Sequence, residues 1–218
     1  MLLAVMSGFI VASTVPFAGK LFRGRWSFAL TALPLSLFIY FLSFIPSLSG
    51  DQPSIISYSW VPAMGINFSF LVDGLSLLFA LMITGIGALV FLYTSSYMKG
   101  DIYLDRFYGY LSLFMGAMLG MVLSDNIFTL FVFWELTSIS SFFLIGYNTD
   151  NKESRGSALV ALAVTGLGGF FLLASFAILS QVAGTYSIHE MAGSGANLRE
   201  HAAYLPISRI ISITSTIP

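Results

Sequence analysis

The 218-residue chain contains no cysteine. That excludes disulfides, thiolate metal sites and cysteine-held iron–sulfur clusters, and leaves the redox compartment undecided. Charge is also scarce. Asp, Glu, Lys and Arg make up 9% of the residues, against about 25% in a soluble domain. Nine Lys and Arg face ten Asp and Glu without a basic run, so nucleic-acid binding has no support. Two histidines occur, His189 and His201, in one polar segment; they read as solvated loop residues rather than metal ligands. No strand–GxGxxG–helix unit offers a cradle for NAD or flavin, and no cofactor is expected.

What fills the chain is apolar. Hydrophobic residues account for 57% of it, with a mean hydropathy of +0.89. The expected class is an all-α polytopic membrane protein with about six transmembrane helices, forming one domain over residues 1–183. The spans are expected near Leu2–Gly19, Trp26–Leu48, Gly74–Met98, Phe107–Ser124, Asn126–Tyr147 and Ser157–Val182. The first lacks the basic start of a signal peptide; its charges follow it, at Lys20, Arg23 and Arg25. Between the second and third spans, Ser54–Trp60 and Gly65–Leu71 alternate like strands around a turn at Val61–Met64. They predict a short β-hairpin at the membrane surface. Asp73 precedes the third span at an N-cap position, and Asp125 is expected to cap the fifth. Gly116 and Gly120 give the fourth a small-xxx-small face suited to close packing. Residues 184–218 read as a polar connection and a truncated or aberrant start of a seventh helix. Within that tail, the Ser187–Glu190 spacing suits a capping box and a short surface helix.

The fifth span organises the rest. Asn126–Tyr147 holds 22 residues, which reach ~33 Å as a helix, enough to cross a bilayer core. Its one ionisable carboxylate, Glu135, falls near the middle. A charge there costs at least ~2.5–3.5 kcal/mol on insertion scales, so an intramembrane acid is by default a functional group. At ~100° per residue, Thr137, Ser138 and Ser141 lie on the flank next to Glu135, forming a narrow polar stripe. Their hydroxyls either orient Glu135 or bond back to their own backbone. The bland alternative for Glu135 itself is a protonated, hydrogen-bonded structural residue. The sharper one is a proton- or ion-handling group.

Basic residues set an expected topology. The first, third and fifth loops hold Lys20, Arg23, Arg25, Lys99, Arg106, Lys152 and Arg155, while the second and fourth hold none. By the positive-inside rule the odd-numbered loops are cytoplasmic, the N-terminus is outside, and the hairpin is extracytoplasmic.

Four runs carry a family resemblance: Trp60–Gly74 (WVPAMGINFSFLVDG), Leu75–Leu81 (LSLLFAL), Phe114–Asp125 (FMGAMLGMVLSD) and Phe131–Gly146 (FVFWELTSISSFFLIG). They resemble the N-terminal part of the large A-type component of Mrp multisubunit Na⁺/H⁺ antiporters. More distantly they are similar to the antiporter-like, chain-5 type subunits of respiratory complex I. The resemblance covers roughly Met1–Pro206. It implies that Glu135 is a proton-handling glutamate that pairs with a lysine on a seventh helix. It also implies other antiporter subunits as partners in a hetero-oligomeric complex, H⁺ and Na⁺ as transported ions, and a bacterial inner membrane location. On this reading the chain is a transporter component and not an enzyme. Family members are several times longer and carry intramembrane lysines beyond this point, whereas the last lysine here is Lys152. Two rivals remain: a proton-translocating membrane subunit of a complex I-type NADH:quinone oxidoreductase, and a truncated fragment inactive alone.

Overall fold

The computed structural model describes residues 1–17, 27–46, 54–61, 66–101 and 103–193. In chain order the elements are α1 (Leu2–Thr14), a 3₁₀ turn (Ser27–Thr31) leading into α2 (Ala32–Leu42), β1 (Ser54–Val61), β2 (Ile66–Val72), α3 (Gly74–Tyr97), α4 (Leu104–Leu123), α5 (Ile127–Ile145), α6 (Lys152–Ala183) and α7 (Ile188–Gly193). Four of these, α3 to α6, are long and apolar enough to cross a membrane. The helices α1 and α2 are apolar but shorter, 13 and 11 residues, or roughly 20 and 16 Å. The expected six spans are therefore four long helices and two short ones among the described residues.

Proline accounts for the shortfall of α1. In α1 the ladder runs to Val15, whose amide donates to the Val11 carbonyl at 2.9 Å. Pro16 follows without an amide to continue it. In α2, Pro34 sits in the first turn, where a missing donor is harmless, and is buried there. The third and fifth spans match their expected limits to within two residues. The fourth and sixth begin earlier than expected, at Leu104 and Lys152. The sixth gains its charged first turn because the Asn151 side chain accepts from the Glu153 amide at 2.9 Å. The acid in that turn suits the positive end of the helix.

The two strands pair antiparallel with Ser57 opposite Ser69 and a bulge between Ser59 and Val61. Of the expected turn, Pro62–Met64 lie outside the described residues, as do His201 and the expected seventh-helix start. The ribbon is pinned to the junction of α4 and α5. The Asp125 amide donates to the Ser69 carbonyl at 2.8 Å, the Thr129 hydroxyl donates to the Asn67 carbonyl at 3.1 Å, and Phe70 and Val72 are buried beneath.

At the centre stands α4, which packs against α1, α3 and α5. Burying an apolar side chain gains little where the alternative is lipid, so close van der Waals contact holds such helices together. The α4 glycines supply it on two sides. A Cβ at Gly8 of α1 would lie 2.8 Å from the Gly116 Cα, so these backbones nearly touch. On another side the Phe133 ring of α5 lies directly over Gly120. The outward faces of α3 and α6 stay apolar: Leu75, Leu89, Tyr93, Val160, Leu167 and Phe170 are all exposed. Such a surface is what a lipid-facing protein presents.

Candidate functional site

Glu135 lies near the middle of α5, about 12 Å along the axis from Ile127. Its carboxyl turns toward α6, where the chain has Gly166, Gly168 and Gly169. A Cβ built on Gly169 would overlap Glu135 Oε1 and lie 3.2 Å from the carboxyl carbon. The carboxyl thus rests directly on the backbone of the neighbouring helix, in a notch one hydrogen-for-methyl exchange would close. Oε1 is buried and has no hydrogen-bond partner among the described residues. The adjoining Trp134 indole N–H is buried and unpartnered as well. Two such groups side by side are unusual, because about nine in ten buried polar groups are paired.

The hydroxyls expected to serve Glu135 are engaged with their own helix. Thr137 and Ser138 both donate to the Trp134 carbonyl, at 2.7 and 3.2 Å. Ser140 donates to the Leu136 carbonyl at 2.8 Å. Ser141 is half-buried on the same flank. Thr137 and Ser138 therefore keep only acceptor capacity toward their surroundings. Cations sit in these helices only in the first turns of α4 and α6, at Arg106, Lys152 and Arg155, among the described residues. Arg155 lies fourteen residues before Gly169, about 21 Å along the α6 axis. Among the described residues, Glu135 has no cationic neighbour at its own level.

The two aspartates act elsewhere. Asp73 Oδ1 accepts from the Ser76 amide at 2.7 Å, and Ser76 Oγ accepts from the Asp73 amide at 2.9 Å, a reciprocal box that starts α3. The expectation for Asp125 is corrected. The cap of α5 is Asn126, whose side-chain oxygen accepts from the Phe128 and Thr129 amides at 3.0 and 3.3 Å. Asp125 reaches across to the segment after α6. Its Oδ2 accepts from the Ser187 hydroxyl at 2.8 Å, and its Oδ1 accepts from the His189 amide at 2.9 Å. Its carbonyl accepts from the Ile188 amide at 2.7 Å. The carboxylate thus caps α7, and one buried residue ties together the ribbon, the start of α5 and the chain beyond α6. Asn126 suits the α5 cap because its extended backbone turns the side chain back over the first amides, as a cap requires.

Two family models match consecutive parts of the chain. One, described as the complex I chain 5 N-terminus of NADH-ubiquinone oxidoreductase, covers residues 60–108. The other, described as the NADH:quinone oxidoreductase/Mrp antiporter transmembrane region, covers residues 124–213 and so includes Glu135 and Gly169. The chain belongs to the Mrp antiporter and complex I family of antiporter-like membrane subunits. Within that family it is similar to the A1 component of the Na⁺/H⁺ antiporter of Staphylococcus haemolyticus, at 40% identity over 93% of this chain and 25% of that protein. It is also similar to the A component of the Na⁺/H⁺ antiporter of Alkalihalophilus pseudofirmus, at 46% identity over 85% of this chain and 23% of that protein. The fold matches a polypeptide of the Mrp complex from a Dietzia species with a TM-score of 0.82 and 30% identity. That match covers 97% of this chain and 23% of the other. The chain therefore spans about a quarter of the length of the curated relatives it matches.

Sequence reading reached Glu135 through its depth in an apolar run, but not the residue it rests against. In the sequence Gly169 is only one of three glycines, with Gly166 and Gly168, in the middle of α6. The signal was the spacing of the mid-membrane acid and the mid-membrane glycines on consecutive antiparallel helices, which places them at similar depth.

Proposed function

We propose that this chain is part of a multisubunit monovalent cation/proton antiporter in the bacterial inner membrane. In that role Glu135 takes up and releases a proton during Na⁺/H⁺ exchange. The reading is supported above all by the state of the Glu135 carboxyl: half-buried midway along a membrane helix, with Oε1 buried and unpartnered among the described residues, and seated on the backbone at Gly169. A structural acid at that depth would be tied by hydrogen bonds, because an unmet polar group in such surroundings costs several kcal/mol. Desolvation and an approaching cation pull a carboxyl's proton affinity in opposite directions. A cation brought to this level would unload the proton, and its withdrawal would let the carboxyl load again. The rest of the reading goes with the family. The partners are the other antiporter subunits, the helices cross the bilayer six times, and the N-terminus and ribbon face outward. Thr137, Ser138 and Ser141 form the polar flank of the path, with Asp73 and Asp125 as helix caps at its outer end.

The test uses the complete antiporter complex carrying these residues, in vesicles from cells that lack other Na⁺/H⁺ exchangers. Glu135→Gln is expected to abolish Na⁺-dependent proton movement while leaving insertion and assembly unchanged, and Glu135→Asp to retain part of it. Full exchange by Glu135→Gln would reduce the residue to a structural role.

A further inference from the structure

The end of the bundle that carries the basic residues holds a cavity of about 320 Å³ between α4, α5 and α6. Arginines from two different helices line it, Arg106 and Arg155, and no acidic side chain does. Neither guanidinium is used up. Arg106 lies 5.0 Å over the Tyr103 ring, and Arg155 donates through Nη1 to the Thr149 carbonyl at 2.7 Å. A guanidinium has five N–H donors in a fixed fork, so both retain donors for a ligand in the opening. Asp101 and Asp105 approach from the side of Tyr147, and burial first, then these two acids, push its phenol above the ordinary range. Tyr147 is thus neutral at physiological pH and adds no negative charge to the lining.

The wall on the bilayer side is apolar. Phe143 stacks on Tyr110 with ring centres 4.9 Å apart, and Phe143 and Leu159 are exposed to 37% and 59%. A site for a free anion has no use for such a wall, whereas a phosphate attached to an acyl chain does. We propose that this cavity seats the phosphate of an anionic phospholipid. Arg106 and Arg155 grip its oxygens from two helices, and Phe143 and Leu159 receive the first part of the acyl chain. Basic pockets between transmembrane helices suit such headgroups, and each arginine near the surface contributes about 1 kcal/mol, or roughly fivefold in retention. The ligand would pin the ends of three helices together where the α5–α6 connection is short.

The test needs no transport. The 218-residue chain is placed in phosphatidylcholine nanodiscs doped with phosphatidylglycerol, released into mild detergent, and its bound lipid counted by native mass spectrometry. Wild type is expected to retain phosphatidylglycerol in preference to phosphatidylcholine. Arg106→Gln and Arg155→Gln should each lower retention about fivefold, and the pair roughly 25-fold. Lys99→Gln with Lys152→Gln, cations outside the cavity, should leave it unchanged. Undiminished retention by the arginine pair, or an equal loss in the lysine pair, would overturn the proposal. So would displacement of the lipid by millimolar inorganic phosphate, which would mark a soluble-anion site. Should the glutamine pair fail to fold, Arg106→Lys with Arg155→Lys decides: weaker retention supports a forked grip, and unchanged retention refutes it.

Discussion

Replacing Gly169 with alanine isolates the contact on which the proton-handling reading rests. In the middle of an exposed helix this change is favourable by about 0.8–1 kcal/mol through helix propensity. Gly166 provides that baseline, since a Cβ there meets nothing within 4 Å; Gly166→Ala should be neutral or stabilising. At Gly169 the new methyl overlaps Glu135 Oε1 and sits 3.2 Å from the carboxyl carbon and 3.8 Å from Oε2. The carboxyl must then leave its rotamer, at about 0.5–1.5 kcal/mol, or the helices must part, at about 1–3 kcal/mol. Either response moves the acid by something near 1 Å, and a misplacement of that size costs an acting group up to ~100-fold in rate. Exchange by the complete complex should therefore fall about ten- to a hundredfold, with assembly intact. The decisive arm is the double variant. Glu135→Asp removes one methylene and makes room for the methyl, so Gly169→Ala should cost less in that background. A coupling of at least ~1 kcal/mol is expected, well beyond the ~0.3–0.5 kcal/mol seen for independent sites. In the 218-residue chain, unfolding in mixed micelles should show Gly169→Ala as destabilising with Glu135 present and harmless with Glu135→Ala. Additive losses, or a Gly169→Ala that behaves like Gly166→Ala, would refute the notch.

Two further predictions concern the ends of the helices. Asp125→Ala removes the acceptors of the Ser187 hydroxyl and the His189 amide and leaves α7 with only the Ser187 hydroxyl on the Glu190 amide, at a cost of about 0.5–2 kcal/mol. Limited proteolysis should then cut beyond Ala183 several times faster while α3 to α6 stay protected, and equal cleavage would show that the cap holds nothing down. The chain's lack of cysteine gives topology mapping a clean background: Ser54→Cys on the ribbon should react with an impermeant thiol reagent from outside, and Lys152→Cys only after the membrane is breached. The reverse pattern would overturn the outward-facing ribbon.

What the sequence made legible is what a single segment can encode. The length and hydropathy of the 74–98 and 126–147 runs placed α3 and α5 almost to the residue, and strand alternation placed the ribbon. Limits failed where local chemistry outweighed hydropathy. Lys152–Arg155 looks like loop by charge, yet an Asn151 cap folds it into α6. Pro16 ends α1 inside a run that is apolar to Gly19. The cap of α5 was read one residue early, because aspartate and asparagine are equally good caps and only the backbone decides which faces the amides. Glu135 was legible because a mid-membrane acid is costly on its own. Its seat on Gly169 was not, because glycine announces small size and never states what fills the space.

That asymmetry bears on how the site works. A carboxyl supported by a serine or asparagine would be stabilised in one protonation state by a fixed donor or acceptor. Held against bare backbone, Glu135 Oε1 has a position without a hydrogen-bond partner among the described residues, so on the proposed function its protonation is left to whatever charge arrives at its level. Thr137 and Ser138, turned back on the Trp134 carbonyl, do not spend a donor on it either. On the proposed function such a site waits for a cation, and those of the described helices stand in the first turns of α4 and α6, away from the level of Glu135. On the proposed function, the coupling that drives exchange comes from outside these helices. For this reason the carboxyl's position, which Gly169 sets, and not any local hydrogen bond, is the property that transport should track.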